Sequence, residues 1–122
     1  MQGSYQEVVL ALGNPTDLVV YHLPSKIGEH AVCIFFETLV DRNKIERLIL
    51  LPLLTIDVIG EPEQQKPDLA WIKNLIPIPD ISEAKDIKEC VKGLLNGQCL
   101  LLFGEGESKG FIIEVQKVNH RS

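Results

Sequence analysis

The chain has 122 residues, 45% hydrophobic and 24% charged, with a net charge of −5. That length and balance fit one globular domain around one core. The acidic charge argues against a nucleic-acid-binding face and against electrostatic docking on anionic lipid.

Residues 1–12 lack a basic segment followed by a long apolar one, so no secretory leader is read there. Within 5–12, Tyr5, Val8, Val9 and Leu12 recur at helical spacing, and Gly13 stands at the usual C-terminal stop. Asn14-Pro15-Thr16-Asp17 is turn chemistry. Residues 18–23 read as a β-branched strand, and 24–29, with Pro and Gly, as the loop of a hairpin back to 31–36. Ala31-Val32-Cys33-Ile34-Phe35-Phe36 is a continuous apolar run and reads as a buried central strand. Asp41 is placed to cap a helix over 41–54, in which Ile45, Leu48 and Ile49 mark the buried stripe. Pro52 is expected to limit that helix.

Residues 60–68, GEPEQQKPD, read as a surface loop and the best candidate for disorder. Leu69-Ala70-Trp71-Ile72 reads as a short helical turn, and 75–79, with two prolines, as an edge strand at best. Over 80–97 a helix is expected, capped by Asp80 or Ser82, with Ile87, Cys90, Val91, Leu94 and Leu95 on one face and Gly97 at its end. Residues 98–103 and 111–115 read as strands of a second hairpin around 104–110. The fold class is therefore α/β of the α+β kind. It is expected to be a small mixed sheet of four to five strands with two hairpins, covered by three to four helices.

Chemistry-bearing residues are few. Gly104, Gly106 and Gly110 suggest a phosphate loop, but no Lys-Ser/Thr follows, a strand follows instead of a helix, and Glu105 and Glu107 would repel phosphate. His22, His30 and His120 match no metal spacing. Cys33, Cys90 and Cys99 lie within apolar patterns, lack a C-x-x-C pair, and read as buried reduced thiols with no base beside them. No metal, no cofactor and no catalytic residue is assigned, and an enzyme is the least favoured class. Glu37 and Asp41 flank a strand-to-helix turn where paired carboxylates bind cations or move protons, although capping accounts for Asp41 alone. Ligand-binding candidates are Glu37, Thr38, Asp41, His22 and Trp71; candidate interaction-loop residues are Glu105, Gly106 and Glu107. No run approaches a membrane span, since the longest candidate, 48–59, contains Pro52 and Asp57. The chain as given is expected to be soluble, with no direct membrane insertion.

Several of these stretches together resemble the N-terminal soluble domain of spore germinant-receptor A subunits, the GerA family. They are Asp17-Leu18-Val19-Val20, the strand 31–36, Leu39-Val40-Asp41, Ile45, and Ile49-Leu50-Leu51-Pro52-Leu53. The family pattern looks like S-D-L-V, then Y-I-D-G-L-V-D, then I-N-x-x-I-L-K-P-L. Leu94-Leu95-Asn96-Gly97-Gln98-Cys99-Leu100-Leu101-Leu102 is similar to its L-L-x-G-x-x-x-L-L, and Asn119-His120-Arg121-Ser122 to the end of W-E-x-R-S. Departures are Glu37-Thr38 and Gly104-Glu105-Gly106 where the family has Asp-Gly, Leu51 for Lys, and no tryptophan near Val118-Asn119.

The resemblance implies a non-enzymatic receptor module that transmits or tunes a germination signal. The implied partners are the B and C subunits and the rest of the A subunit. The other reading is a domain that binds a small nutrient directly. This chain would be the first α/β subdomain of a larger N-terminal region preceding membrane spans. The full-length protein would lie in the spore inner membrane, with this part on the core-facing side. The 37–41 turn and the 104–110 loop are the expected contact elements.

Overall fold

The computed structural model describes residues 3–23, 31–59, 68–104 and 108–115. Among them lie five strands and four helices. Helix α1 is Tyr5–Ala11, β1 Leu18–His22 and β2 Val32–Phe36. A helical segment follows in three pieces, Arg42–Lys44, Ile45–Leu50 and Leu51–Ile59, together α2. Then come α3 (Leu69–Leu75), β3 (Ile81–Ala84), α4 (Ile87–Leu95), β4 (Cys99–Phe103) and β5 (Lys109–Ile113). The strands form one sheet in the order β1-β2-β4-β5-β3. The α+β class is as expected, but every neighbouring pair is antiparallel, so the sheet is not mixed. The two expected hairpins, β1–β2 and β4–β5, supply two of the pairings.

Both faces of the sheet are covered. Cys33, Phe35, Cys99, Leu101, Phe103, Phe111 and Ile113 point to one face, where Ile45, Ile49 and Leu53 of α2 and Ile72 of α3 close over them. Val32, Ile34, Phe36, Leu100 and Leu102 point to the other, against Val8 of α1 and Cys90 and Leu94 of α4. Antiparallel strands usually alternate apolar and polar because one face meets water. Here β2 and β4 are apolar at every position because water meets neither face.

The helix ends follow local chemistry. Gly13 and Gly97 adopt positive φ (82° and 84°), and each lies one residue beyond a helix C-cap. The amide after each reaches back five residues, Asn14 N–H to the Val9 carbonyl and Gln98 N–H to that of Gly93. This motif satisfies carbonyls that would otherwise be orphaned.

Three expectations need correction. Residues 81–84 are a strand and not the start of a helix. Ile81 and Ala84 are buried on opposite faces, and β3 takes the free edge of β5. The helix begins at Ile87, where Asp86 accepts from Glu89 N–H at 2.9 Å and Glu89 accepts from Lys85 N–H at 2.9 Å. The Asp80–Glu83 spacing imitates this capping pattern, but the edge of β5 offers ladder bonds that outweigh one cap.

The extended segment expected over 75–79 gives way to α3 running to Leu75, and the edge strand begins only after Pro79. Pro52 does not end α2. The six residues Ile45–Leu50 form a π-helix, with Leu51 N–H bonding the Glu46 carbonyl five residues back, and α-helix resumes through Ile59. The wider turn moves the preceding carbonyls away from the proline ring, which would clash with the carbonyl four residues back. The loops expected at 24–29 and 60–67 lie outside the described residues.

Candidate functional site

The turn joining β2 to α2 is fixed by bonds from three directions. Glu37 N–H donates to the Asp17 carbonyl at 3.0 Å, and Thr38 Oγ1 donates to Asp17 Oδ2 at 2.9 Å. Asp41 N–H donates to the Val115 carbonyl at 2.8 Å, tying the turn to the chain beyond β5. Asp41 Oδ1 accepts from Asn43 N–H and Lys44 N–H at 3.1 and 3.4 Å, so Asp41 is the helix cap its position suggests.

Arg42 reaches Glu37 at 3.4 Å and Glu46 at 3.2 Å, with its guanidinium 5.4 Å from the Phe35 ring centroid. Glu37 and Arg42 are half exposed, so the pair contributes little to stability and acts chiefly to hold the turn's shape. Val40 is buried, whereas Leu39 is 44% exposed on this braced turn. Asp41→Ala is expected to lower the unfolding free energy by about 1 kcal/mol, within the range for lost N-caps, while Asp41→Asn keeps most of it. Urea melts of both variants check this; equal losses would mean that the charge, not the cap, is what matters.

The five ligand-binding candidates do not converge. Asp41 lies on a shallow groove with Lys44 and Arg47 on the α2 side. His22, at the end of β1, faces the α1 side. Its ring stands edge-on to Tyr5 at 5.0 Å, beside an open groove of about 580 Å³ also lined by Val9, Leu10, Asn14 and Val20. Trp71 belongs to α3 on the opposite face of the sheet. It is edge-on to Phe103 at 6.3 Å and packs against the core. Glu105, Gly106 and Glu107 lie outside the described residues, as do His30 and His120. The groove beside His22 was not legible in the sequence, because it needs α1 to lie across β1. The one local hint was turn chemistry at Asn14, which adopts φ 51° on the groove wall.

Antiparallel pairing has a further consequence. The 37–41 turn follows the end of β2; the loop expected over 104–110 follows the end of β4 but is shorter, since Lys109 and Gly110 already pair with Phe103 and Leu102 in β5. Since Val32 faces Leu102 and Ile34 faces Leu100, the two strands end on opposite sides of the sheet. The rule that strand C-terminal ends gather at one active edge belongs to parallel sheets and does not gather these loops.

The thiols are buried, as expected. Cys33 and Cys99 sulfurs approach to 3.2 Å inside the sheet, and Cys90 of α4 is buried against the sheet. That contact and burial hold the Cys99 thiol well above its ordinary value. Burial, with Asp86 and Glu89 nearby, pushes Cys90 up to about 11. Such thiols are protonated and poorly nucleophilic at neutral pH. Among the described residues, no group of three His, Cys, Asp or Glu side chains is placed to hold a metal ion. No helix of the described residues is long and apolar enough to cross a membrane.

The sequence matches the family model described as Bacillus/Clostridium GerA spore germination protein over residues 6–122. No curated protein matches it. Among solved structures, the fold is similar to the crystal structure of the N-terminal domain of the A subunit of the Bacillus megaterium spore germinant receptor GerK3. The TM-score is 0.68 at 19% identity, covering 93% of this chain and 45% of that one. The likeness at that identity is one of fold, and the chain spans less than half the length of that structure.

Proposed function

The chain belongs to the GerA spore germination protein family, and from that premise we propose that it is a module of a germinant receptor A subunit that transmits or tunes the germination signal. The observation that carries this reading is the family match over 6–122, nearly the whole chain. The fold likeness to the N-terminal domain of one such subunit supports it. In this reading the module is the first subdomain of a longer region preceding membrane spans. It sits on the core side of the spore inner membrane, with the B and C subunits and the rest of its own subunit as partners.

Its mechanism is a contact that differs between the resting and activated receptor, since only differential binding can move such an equilibrium. The braced 37–41 turn presents Leu39 for one contact. The connection between β4 and β5, whose flanking residues Phe103 and Lys109 lie at the other end of the sheet, provides a second. A rigid body with a contact at each end relays a displacement between two neighbours without changing its own fold.

The test is an antibody to this domain, applied to membrane and soluble fractions of spores and of growing cells. The expected result is a band several times 13.6 kDa in spore membranes. A free protein of 13.6 kDa in growing cells would overturn the reading.

One observation favours a second reading, direct binding of a small nutrient: the groove beside His22 places an imidazole and the Asn14 side chain over apolar walls. Of the residues expected to bind, His22 alone lines it. An NMR titration with amino acids and sugars checks this reading, and amides of Tyr5, Asn14 and His22 that stay fixed at millimolar ligand would remove it.

A further inference from the structure

We infer that the outer edge of β1 and the groove beside it form a strand-addition site for an extended segment of a partner polypeptide. β1 ends the sheet. Its inner edge is known from two flanking bonds, Glu37 N–H to the Asp17 carbonyl and Leu23 N–H to the Ala31 carbonyl. These fall on the same register as Leu18↔Phe36 through His22↔Val32. Bonded pairs alternate along an antiparallel ladder, so the odd-numbered residues bond to β2 and the even-numbered ones face outward.

Leu18 N–H turns back to the Pro15 carbonyl at 3.4 Å. The N–H and C=O of Val20 and His22 have no partner among the described residues. Edge strands are commonly guarded by lysine, proline or a bulge. Leu-Val-Val-Tyr-His has neither residue, and its five pairs with β2 run without interruption.

The groove supplies selectivity. In an added strand, residues directly opposite Val20 and His22 would project to the same face as those side chains. That face holds the groove of about 580 Å³ between β1 and α1, with Val9 and Leu10 on its wall and Leu10 74% exposed. Main-chain bonds would give affinity, and alternate side chains seated in the groove would give preference. The fitting partner is an extended segment with apolar side chains two residues apart and basic residues around them. The chain's charge of −5 favours that basic character and opposes pairing of β1 with a second copy. The site does not depend on the receptor reading: a chain with another cellular role would still bind such a segment.

The test is an NMR titration of the isotope-labelled full chain with a capped peptide, Lys-Val-Thr-Val-Thr-Val-Lys. Amide shifts are expected at Val20 and His22 and along α1. The same peptide N-methylated on the edge facing β1 keeps its side chains but loses its donors, and is expected to bind at least about tenfold more weakly. Val20→Pro removes an outward N–H without touching the β2 ladder and is expected to produce the same loss. Unchanged spectra at millimolar peptide, or equal binding of the N-methylated peptide, would overturn the site. Movement of the same amides with protein concentration alone, accompanied by a dimer mass, would overturn the choice of partner and give the edge to a second copy.

Discussion

Replacing Phe111 with alanine is expected to cost about 3–5 kcal/mol of stability, the range for emptying a large aromatic site in a packed core. Phe111 is wholly buried in β5, opposite Glu83 on one side and Leu101 on the other. Its ring stands edge-on to Phe103 at 6.0 Å, and Phe103 in turn to Trp71 at 6.3 Å. Three rings therefore link β5 to α3 across β4, and such edge-to-face pairs add stabilisation beyond the buried area. The cavity cannot close easily, because β strands on both sides hold the backbone in place. Urea denaturation should show the midpoint falling with little change in slope. Trp71→Phe keeps the ring contact and is expected to cost far less. A Phe111→Ala loss below about 1 kcal/mol would mean that this face of the core repacks, contrary to the close packing usual in protein interiors.

The same core explains what could be read without a structure. The runs 31–36 and 99–103 are apolar at every position, and only a strand buried on both faces tolerates that. The stripe Ile87, Cys90, Val91, Leu94 fixed the buried face of α4, and glycines at 13 and 97 marked two helix ends because their positive φ favours glycine. β3 was hidden because Ser82 and Glu83 are exposed and polar, and what makes them a strand is the neighbouring edge of β5. The pairings of β2 with β4 and of β3 with β5 were likewise beyond local pattern, since they depend on which strands meet outside the two hairpins. The site suffered most. Glu37, Thr38 and Asp41 share one turn, but His22 and Trp71 are remote from it in sequence, and the fold puts those two on opposite faces of the sheet. The groove beside His22 arises from the placing of α1 on β1, a long-range fact that residue types do not carry.

Stability is also expected to fall steeply in alkali, and two thiols set the direction. The ordinary thiol value is 9.0, and in the fold Cys90 is raised to about 11 by burial and by the carboxylates of Asp86 and Glu89. Below pH 9 both folded and unfolded states keep the proton, and the stability from this group is complete. Between 9 and 11 the unfolded chain releases the proton while the folded chain retains it, so each pH unit favours unfolding. The loss reaches about 2–3 kcal/mol by pH 11, at roughly 1.4 kcal/mol per unit. Cys99, raised by its contact with Cys33 and by burial, acts with the same sign. The measurement is a difference between variants, so that contributions common to both cancel. Denaturation midpoints of the chain and of Cys90→Ala are compared from pH 8 to 11. The variant loses some packing at pH 8, but its stability should then decline less steeply, with the gap closing as pH rises. Parallel curves would mean that the Cys90 thiolate is accommodated in the fold, which requires water or a cation to reach the α4 side of the sheet. That would remove the ground for treating the layer between α4 and the sheet as a dry, rigid body able to relay a displacement between partners.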